Sequence, residues 1–370
     1  VHRGLGKGRR GAWTAPPCRA RLCRQARHRS RPGRATRTRD ATIPSCRNLG
    51  GLALAALLAC TPAARAQQTA PGRVEAIPLA TTTLSGEAFL TGDKAAARPA
   101  LIAGELRLPF PLPPGRRVPA VVLVHGSGGI GASTDLWARE LNAAGLGAFI
   151  LDSFAGRGIV STVQDQTQLH SLAMMVDAFR ALDWLAGHPR IRADRIAVMG
   201  FSKGAVAAVY SAMTRFQALY GNPAHRFAAH IGLYTPCNVG FAKDAEVGPA
   251  PIRLFHGVVD DYVAIGPCRD YAARLKAAGA DATLTEYANG QHSFDNPFQP
   301  LLVTVADAQT TRGCRLEEGA GGAMLNAATK QPYTLADACV ARGAHVGYDP
   351  VGAAAVRAAV RAFAEERLVR

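Results

Sequence analysis

Arg195-Ile-Ala-Val-Met-Gly-Phe-Ser-Lys-Gly-Ala-Val-Ala-Ala-Val-Tyr210 decides the fold. The apolar run 196–199, bounded by Asp194-Arg195 before it and Gly200 after it, reads as a short buried strand. Gly200-Phe-Ser-Lys-Gly204 then fits the nucleophile elbow G-x-S-x-G, and the residues beyond it continue as a helix. Both glycines are needed there, because a Cβ on either side of the serine would collide with the neighbouring strand or helix. The turn lifts the Ser202 hydroxyl above the sheet. It also leaves the Lys203 backbone N–H at a helix start, beside the negative charge that develops on an attacked carbonyl. A plain glycine turn gives the same letters, and it is the strand before and helix after that favour the catalytic reading.

Working outward, Val118-Pro-Ala-Val-Val-Leu-Val-His125 is nearly continuous in apolar residues, as expected of a strand covered on both faces. It runs into Gly126-Ser127-Gly128-Gly129. Further strands are expected at 74–79, 100–108, 147–152, 228–234, 251–256 and 282–287, and helices at 134–144, 168–186, 268–278 and 351–368. The stripe Leu172, Met175, Val176, Phe179, Leu182 and Leu185 reads as core and needs no cofactor to explain it. A polar turn is expected around Gly92-Asp93, and Pro109-Phe-Pro-Leu-Pro-Pro114 is a stiff linker. Alternating strands and helices predict an α/β fold with a mainly parallel sheet covered on both faces, in one catalytic domain over 67–370. The segment 296–348 is long for a connection, with little periodicity and a Gly-rich centre. It is read as an insertion rimming the active site and held by its own cysteine pair.

The formal charge of +16 looks like a nucleic-acid or membrane signal until it is located. Thirteen Arg and one Lys against Asp40 put +13 of it in residues 1–48, so the remainder carries only +3. Residues 1–42 lack the aliphatic content to order themselves. After Arg47 comes an eleven-residue apolar core, 49–59, and then Ala64-Arg-Ala66. That pattern predicts a secretory signal cleaved near Ala66, too short to span a bilayer, and hence a periplasmic or secreted protein. Leu57-Leu-Ala-Cys60 supports an alternative, a lipoprotein anchored at Cys60. No methionine precedes Met174, which points to a non-AUG start codon or a start downstream of Val1. Nucleic-acid binding would require the basic leader to survive processing, so no nucleic-acid partner is expected. Cys237, Cys268, Cys314 and Cys339 remain after cleavage, an even number in an exported chain. Cys237 and Cys268 follow neighbouring strands and the other two share the insertion, which predicts the pairs 237–268 and 314–339.

A serine hydroxyl needs a base within hydrogen-bond reach and an acid to orient that base. In this architecture the order is serine, acid, histidine, each after a strand. His256-Gly-Val-Val-Asp-Asp-Tyr-Val263 offers Asp260 and Asp261 as the acid, with Asp260 preferred, and Gly290-Gln-His-Ser-Phe294 offers His292 as the base. The Ser127 N–H, in the glycine turn after the third strand, is expected to join the Lys203 N–H in an oxyanion hole, with His125 structural. Arg157, on a loop at the same sheet edge, reads either as a partner for a substrate carboxylate or as a solvated arginine. No metal or organic cofactor is expected: the histidines are scattered, without H-E-x-x-H, and no dinucleotide or Walker fingerprint occurs.

At these residues the chain resembles a known family. Val122-Leu-Val-His-Gly-Ser-Gly-Gly129, Leu151-Asp-Ser-Phe154 with Arg157-Gly158, Asp183-Trp-Leu185, Gly200-Phe-Ser-Lys-Gly204, His256-Gly-Val-Val-Asp260 and His292-Ser-Phe-Asp295 look like the dienelactone hydrolase family of α/β-hydrolases, and more closely its exported, serine-containing type. The resemblance covers about residues 100–296, and the cysteine-bearing tail is similar to that of such exported members. Dienelactone hydrolases proper use a cysteine nucleophile where this chain has Ser202, a departure that bears on the substrate more than on the mechanism. Ala205 also replaces the glycine usual after the elbow. The resemblance implies a serine hydrolase acting on small-molecule esters or lactones. A peptidase or acyl transferase on the same triad is the alternative, and a binding protein on an inactivated scaffold is disfavoured by the intact triad.

Overall fold

The computed structural model describes residues 74–370. The leader and signal segment 1–66, the cleavage point at Ala66 and the candidate anchor Cys60 lie outside the described residues.

Strand β1 (Val74–Thr83) and short helix α1 (Gly86–Thr91) lead into β2 (Arg98–Arg107), which pairs antiparallel with β1. Strand β3 (Val118–Val124) is buried at every position, so its alternate side chains supply both faces of the sheet. Val121 and Leu123 pack with Trp137, Met199, Val356 and Val360 on one face. Val122 and Val124 pack with Met175, Phe179, Val206 and Val209 on the other. Each such aliphatic side chain withdrawn from water contributes about 2 kcal/mol, so the sheet centre is where the chain is most firmly held.

Helix α2 (Ala132–Ala143) takes the chain to β4 (Gly147–Asp152) on one side of β3, and α3 (Ser171–Ala186) brings it back to β5 (Ile191–Phe201) on the other. Beyond β5 come α4 (Lys203–Tyr210), α5 (Thr214–Tyr220), β6 (His230–Leu233), β7 (Val239–Gly240), β8 (Ile252–Gly257), α6 (Gly266–Ala277) and β9 (Ala282–Tyr287). The eight-stranded sheet has the order β1-β2-β4-β3-β5-β6-β8-β9. It is parallel from β4 to β9, with β2 antiparallel to β4. The order reverses about β3, so the loops leaving β3 and β5 diverge and open a crevice at the C-terminal strand ends, where ligands bind in open α/β sheets.

The segment 296–348 is structured. β10 (Val303–Thr310) pairs antiparallel with β13 (Ala341–Val346), and β11 (Leu316–Glu318) pairs antiparallel with β12 (Met324–Asn326) and parallel with β7. Helix α7 (Pro350–Ala364) then covers the α2 side of the sheet. Disulfide Cys314–Cys339 closes the insertion, and Cys237–Cys268 ties the segment after β6 to the start of α6. Among the described residues no helix is long and apolar enough to cross a membrane.

One local expectation holds with a helix added before it, and one needs correction. The turn at Gly92-Asp93 is the end of α1, which is capped by the Ser85 hydroxyl and closed by Gly92 in the left-handed conformation, φ 73°. Strand β5 begins at Ile191, because Val118 and Ile191 pair before the buried run starts.

Candidate active site

The elbow places Ser202 at the junction of β5 and α4 with φ 50° and ψ −119°, a strained conformation for a residue with a side chain. Its neighbours show why the strain persists. A Cβ on Gly200 would come within 2.2 Å of the Gly204 carbonyl oxygen, and one on Gly204 within 2.3 Å of the Val124 and His125 carbonyl oxygens. The Ser202 N–H donates to the Leu233 carbonyl at 3.0 Å, pinning the turn to β6.

His292 Nε2 lies 3.0 Å from Ser202 Oγ, and its Nδ1 lies 2.8 Å from Asp260 Oδ2. The other Asp260 oxygen accepts the N–H groups of Tyr262 and Val263 at 2.9 and 2.8 Å. Burial alone would raise the Asp260 carboxyl, but the charge and hydrogen bond of His292 and the nearby His256 ring, 3.6 Å away, outweigh it and hold the group below the usual carboxylate range. The loops bearing acid and histidine touch backbone to backbone, since a Cβ on Gly257 would sit 2.0 Å from the Gly290 carbonyl oxygen. Rings of Tyr234 and Tyr262 flank the imidazole, each with its centroid 4.7 Å away. Asp261 turns the opposite way, binding the His345 ring at 2.8 Å and its N–H at 2.7 Å.

Ser127 and Lys203 both border Ser202, with the Lys203 N–H among the first groups of α4 that have no partner inside the helix. His125 holds the glycine turn. Its Nε2 accepts the Ser153 N–H at 3.2 Å, which leaves Nδ1 to donate to the Gly126 carbonyl at 2.8 Å. Burial pushes this imidazole's pKa down, consistent with that neutral tautomer.

The Lys203 side chain, which carries no signal in the sequence beyond its place in the elbow, is also buried. Its amine donates to Thr162 Oγ1 and to the main-chain and side-chain oxygens of Gln166, all within 3.1 Å. Burial lowers its pKa to about 7. The same Gln166 oxygen accepts the Ser127 hydroxyl at 3.2 Å, so one amide links the turn after β3 to the turn after β5. Neither Thr162 nor Gln166 was expected, because they lie in an aperiodic loop.

Arg157 neither faces a substrate nor is solvated, which corrects both readings of it. Its guanidinium is buried against Asp177 at 2.7 and 2.9 Å and also reaches Thr83 and the Ser153 carbonyl. Thr81 donates to the same carboxylate at 2.7 Å, so Arg157 joins β1, the loop after β4, and α3. Two cavities open on Ser202, one of about 520 Å³ and one of about 300 Å³. Arg157 borders neither.

A sequence profile of the dienelactone hydrolase family matches residues 110–314. Among solved structures, a dienelactone hydrolase-like promiscuous phosphotriesterase from metagenomic libraries aligns with TM-score 0.51 at 18% identity, over 80% of this chain and 99% of that one. The protein termed m3DLH aligns with TM-score 0.50 at 19% identity, over 80% of this chain and 100% of that one. Esterase 2 of the planctomycete Thermogutta terrifontis aligns with TM-score 0.44 at 18% identity, over 54% of this chain and 82% of that one. No curated protein matches the chain.

Proposed function

Because this chain belongs to the dienelactone hydrolase family and is an ester-bond hydrolase with the α/β-hydrolase fold, we propose that it is an exported serine hydrolase that opens carboxylic esters or lactones through an acyl-enzyme on Ser202. The observation that carries this reading is His292, which bonds Ser202 through one ring nitrogen and Asp260 through the other. Donation of Nδ1–H to Asp260 leaves the Nε2 lone pair facing the hydroxyl, the tautomer a general base requires. As Oγ attacks the carbonyl carbon, its proton passes to Nε2, and Asp260 stabilises the imidazolium. The N–H groups of Ser127 and Lys203 hold the oxyanion, each worth about 3 kcal/mol to the transition state. Collapse breaks the carbon–oxygen bond, and the departing alkoxide takes the proton from Nε2. Water, deprotonated by the same nitrogen, then attacks the acyl carbon and restores Ser202.

Export rests on the two disulfides, which persist in oxidising compartments, together with the signal pattern expected before residue 67. The mature enzyme is then the chain from 67 to 370. A fluorophosphonate probe should label Ser202 in the purified protein, and Ser202→Ala should lose both the label and about 10⁵-fold in ester turnover with unchanged thermal stability. Retention of full esterase activity in that variant would remove the reading.

A further inference from the structure

The two cavities that meet at Ser202 are not equivalent. Lys203, Leu169, Val206, Met324 and Leu335 border the larger, and His292, Gly128, Gly131, Ala132 and Ser133 border the smaller. Of the two, only the smaller touches His292. This asymmetry fixes the direction in which an ester lies. The atom that takes the proton from the imidazole is the leaving alkoxide oxygen, so the alcohol half must sit on the imidazole's side of Oγ. The acyl half stays bonded to Oγ and extends to the other side.

From this we infer that the larger cavity receives the acyl group and the smaller one the alcohol, so that the substrates are esters joining a large, uncharged, apolar acyl group to a small alcohol. The inference rests on the hydrolase reading above and goes beyond it in naming the substrate class. The walls agree with it. The large cavity is mostly apolar, and the charged groups around it are engaged or turned to solvent. Lys203 spends its three donors on Thr162 and Gln166, the Arg312 guanidinium donates to the Asp261 and Gly343 carbonyls, and Glu87 is exposed. A carboxylate on the acyl chain would lose its hydration there without gaining a free cationic partner. The small cavity is edged by glycine, alanine and serine on one side and by the rings of Phe201, Tyr234 and Tyr262 on the other, and its smaller volume limits the group it can hold.

Two isomeric esters separate the alternatives, because they carry the same carbons divided oppositely about the carbonyl. Methyl octanoate should be cleaved at least ~30-fold more efficiently in kcat/KM than heptyl acetate, since each acyl methylene buried in an apolar wall is worth up to about fourfold. Monomethyl suberate, with a carboxylate at the acyl end, should fall well below methyl octanoate. Met324→Trp, which narrows the large cavity, should depress methyl octanoate turnover at least ~10-fold and lower the ratio of methyl octanoate to methyl acetate turnover; an unchanged ratio would overturn the assignment. Equal or reversed rates for the two isomers, with both turned over, would overturn the assignment and leave the hydrolase intact. If neither ester is cleaved, the assignment also falls. Fluorophosphonate labelling of Ser202 in the same preparation then shows whether the hydrolase reading falls with it.

Discussion

The sheet and the insertion are stabilised by different physics, although both border Ser202. Strands β3, β6 and β8 and the 196–201 half of β5 are almost wholly buried, and the side chains above them are set by backbone that has little freedom to move. The insertion has mostly half-exposed strands, a disulfide and polar attachments to the loops of the sheet. The Gly347 N–H donates to the His292 carbonyl, Thr310 donates to the Tyr262 carbonyl, and the Gln309 side chain accepts the Gln166 N–H. In the proposed mechanism the sheet therefore supplies the chemistry, whereas the insertion supplies a wall. Rate should follow the former and selectivity the latter.

The strongest test of that division uses adjacent carboxylates. Asp260→Asn should cost about 10⁴-fold in kcat, because the imidazole loses the partner that fixes its tautomer. Asp261→Asn disturbs the half-exposed contacts with His345 and Arg312 and should cost less than about tenfold. Equal losses would mean that the insertion takes part in the proton relay.

A second test concerns stability. Asp177→Ala leaves the Arg157 guanidinium buried without its carboxylate and should lower unfolding free energy by roughly 3–5 kcal/mol, read from urea midpoints. Cys314→Ser with Cys339→Ser opens a closure with a sequence separation of 25 and should cost about 3 kcal/mol in the insertion. Amide exchange should show β10–β13 opening while β3 and β5 stay protected, and selectivity for long acyl chains should fall before turnover of methyl acetate does.

The smallest test is acid. His230, buried in β6 and bonded to Ser211 and the Ala208 carbonyl, has its pKa pushed down by burial to about 4. Its folded value lies below the unfolded value of about 6.5. The unfolded chain therefore binds the extra proton, and the contribution to stability, whole above pH 6.5, is lost as pH falls toward 4. Thermal scans across that range should show His230→Gln losing up to ~3 kcal/mol less than the parent, while His170, likewise pushed down by burial to about 4, contributes its own acid loss to both.

The same division explains what could be read in advance. The central strands and the long core helix were legible because continuous apolar runs and a regular stripe leave little ambiguity. α1 and α5 were not, being six and seven residues long, too short for helical periodicity to register. The insertion hides its strands because few of their residues are buried. Arg157 was misread because its partner lies twenty residues away on another element, a separation with no pattern of its own. Both cysteine pairs formed as expected, since the strands before Cys237 and Cys268 had been located and Cys314 and Cys339 share the one insertion.

The backbone crossing at Gly257 and Gly290 limits how new selectivity can be built into this scaffold. No residue larger than glycine fits at that crossing, so the acid and histidine turns offer an engineer almost no room for redesign. Residues 311–340 are less tightly restricted, a Cβ on Gly313 or Gly322 coming no nearer than 3.0 Å to a backbone oxygen. Loops exchanged there could give a series of enzymes with one unchanged catalytic engine and different tastes in substrate.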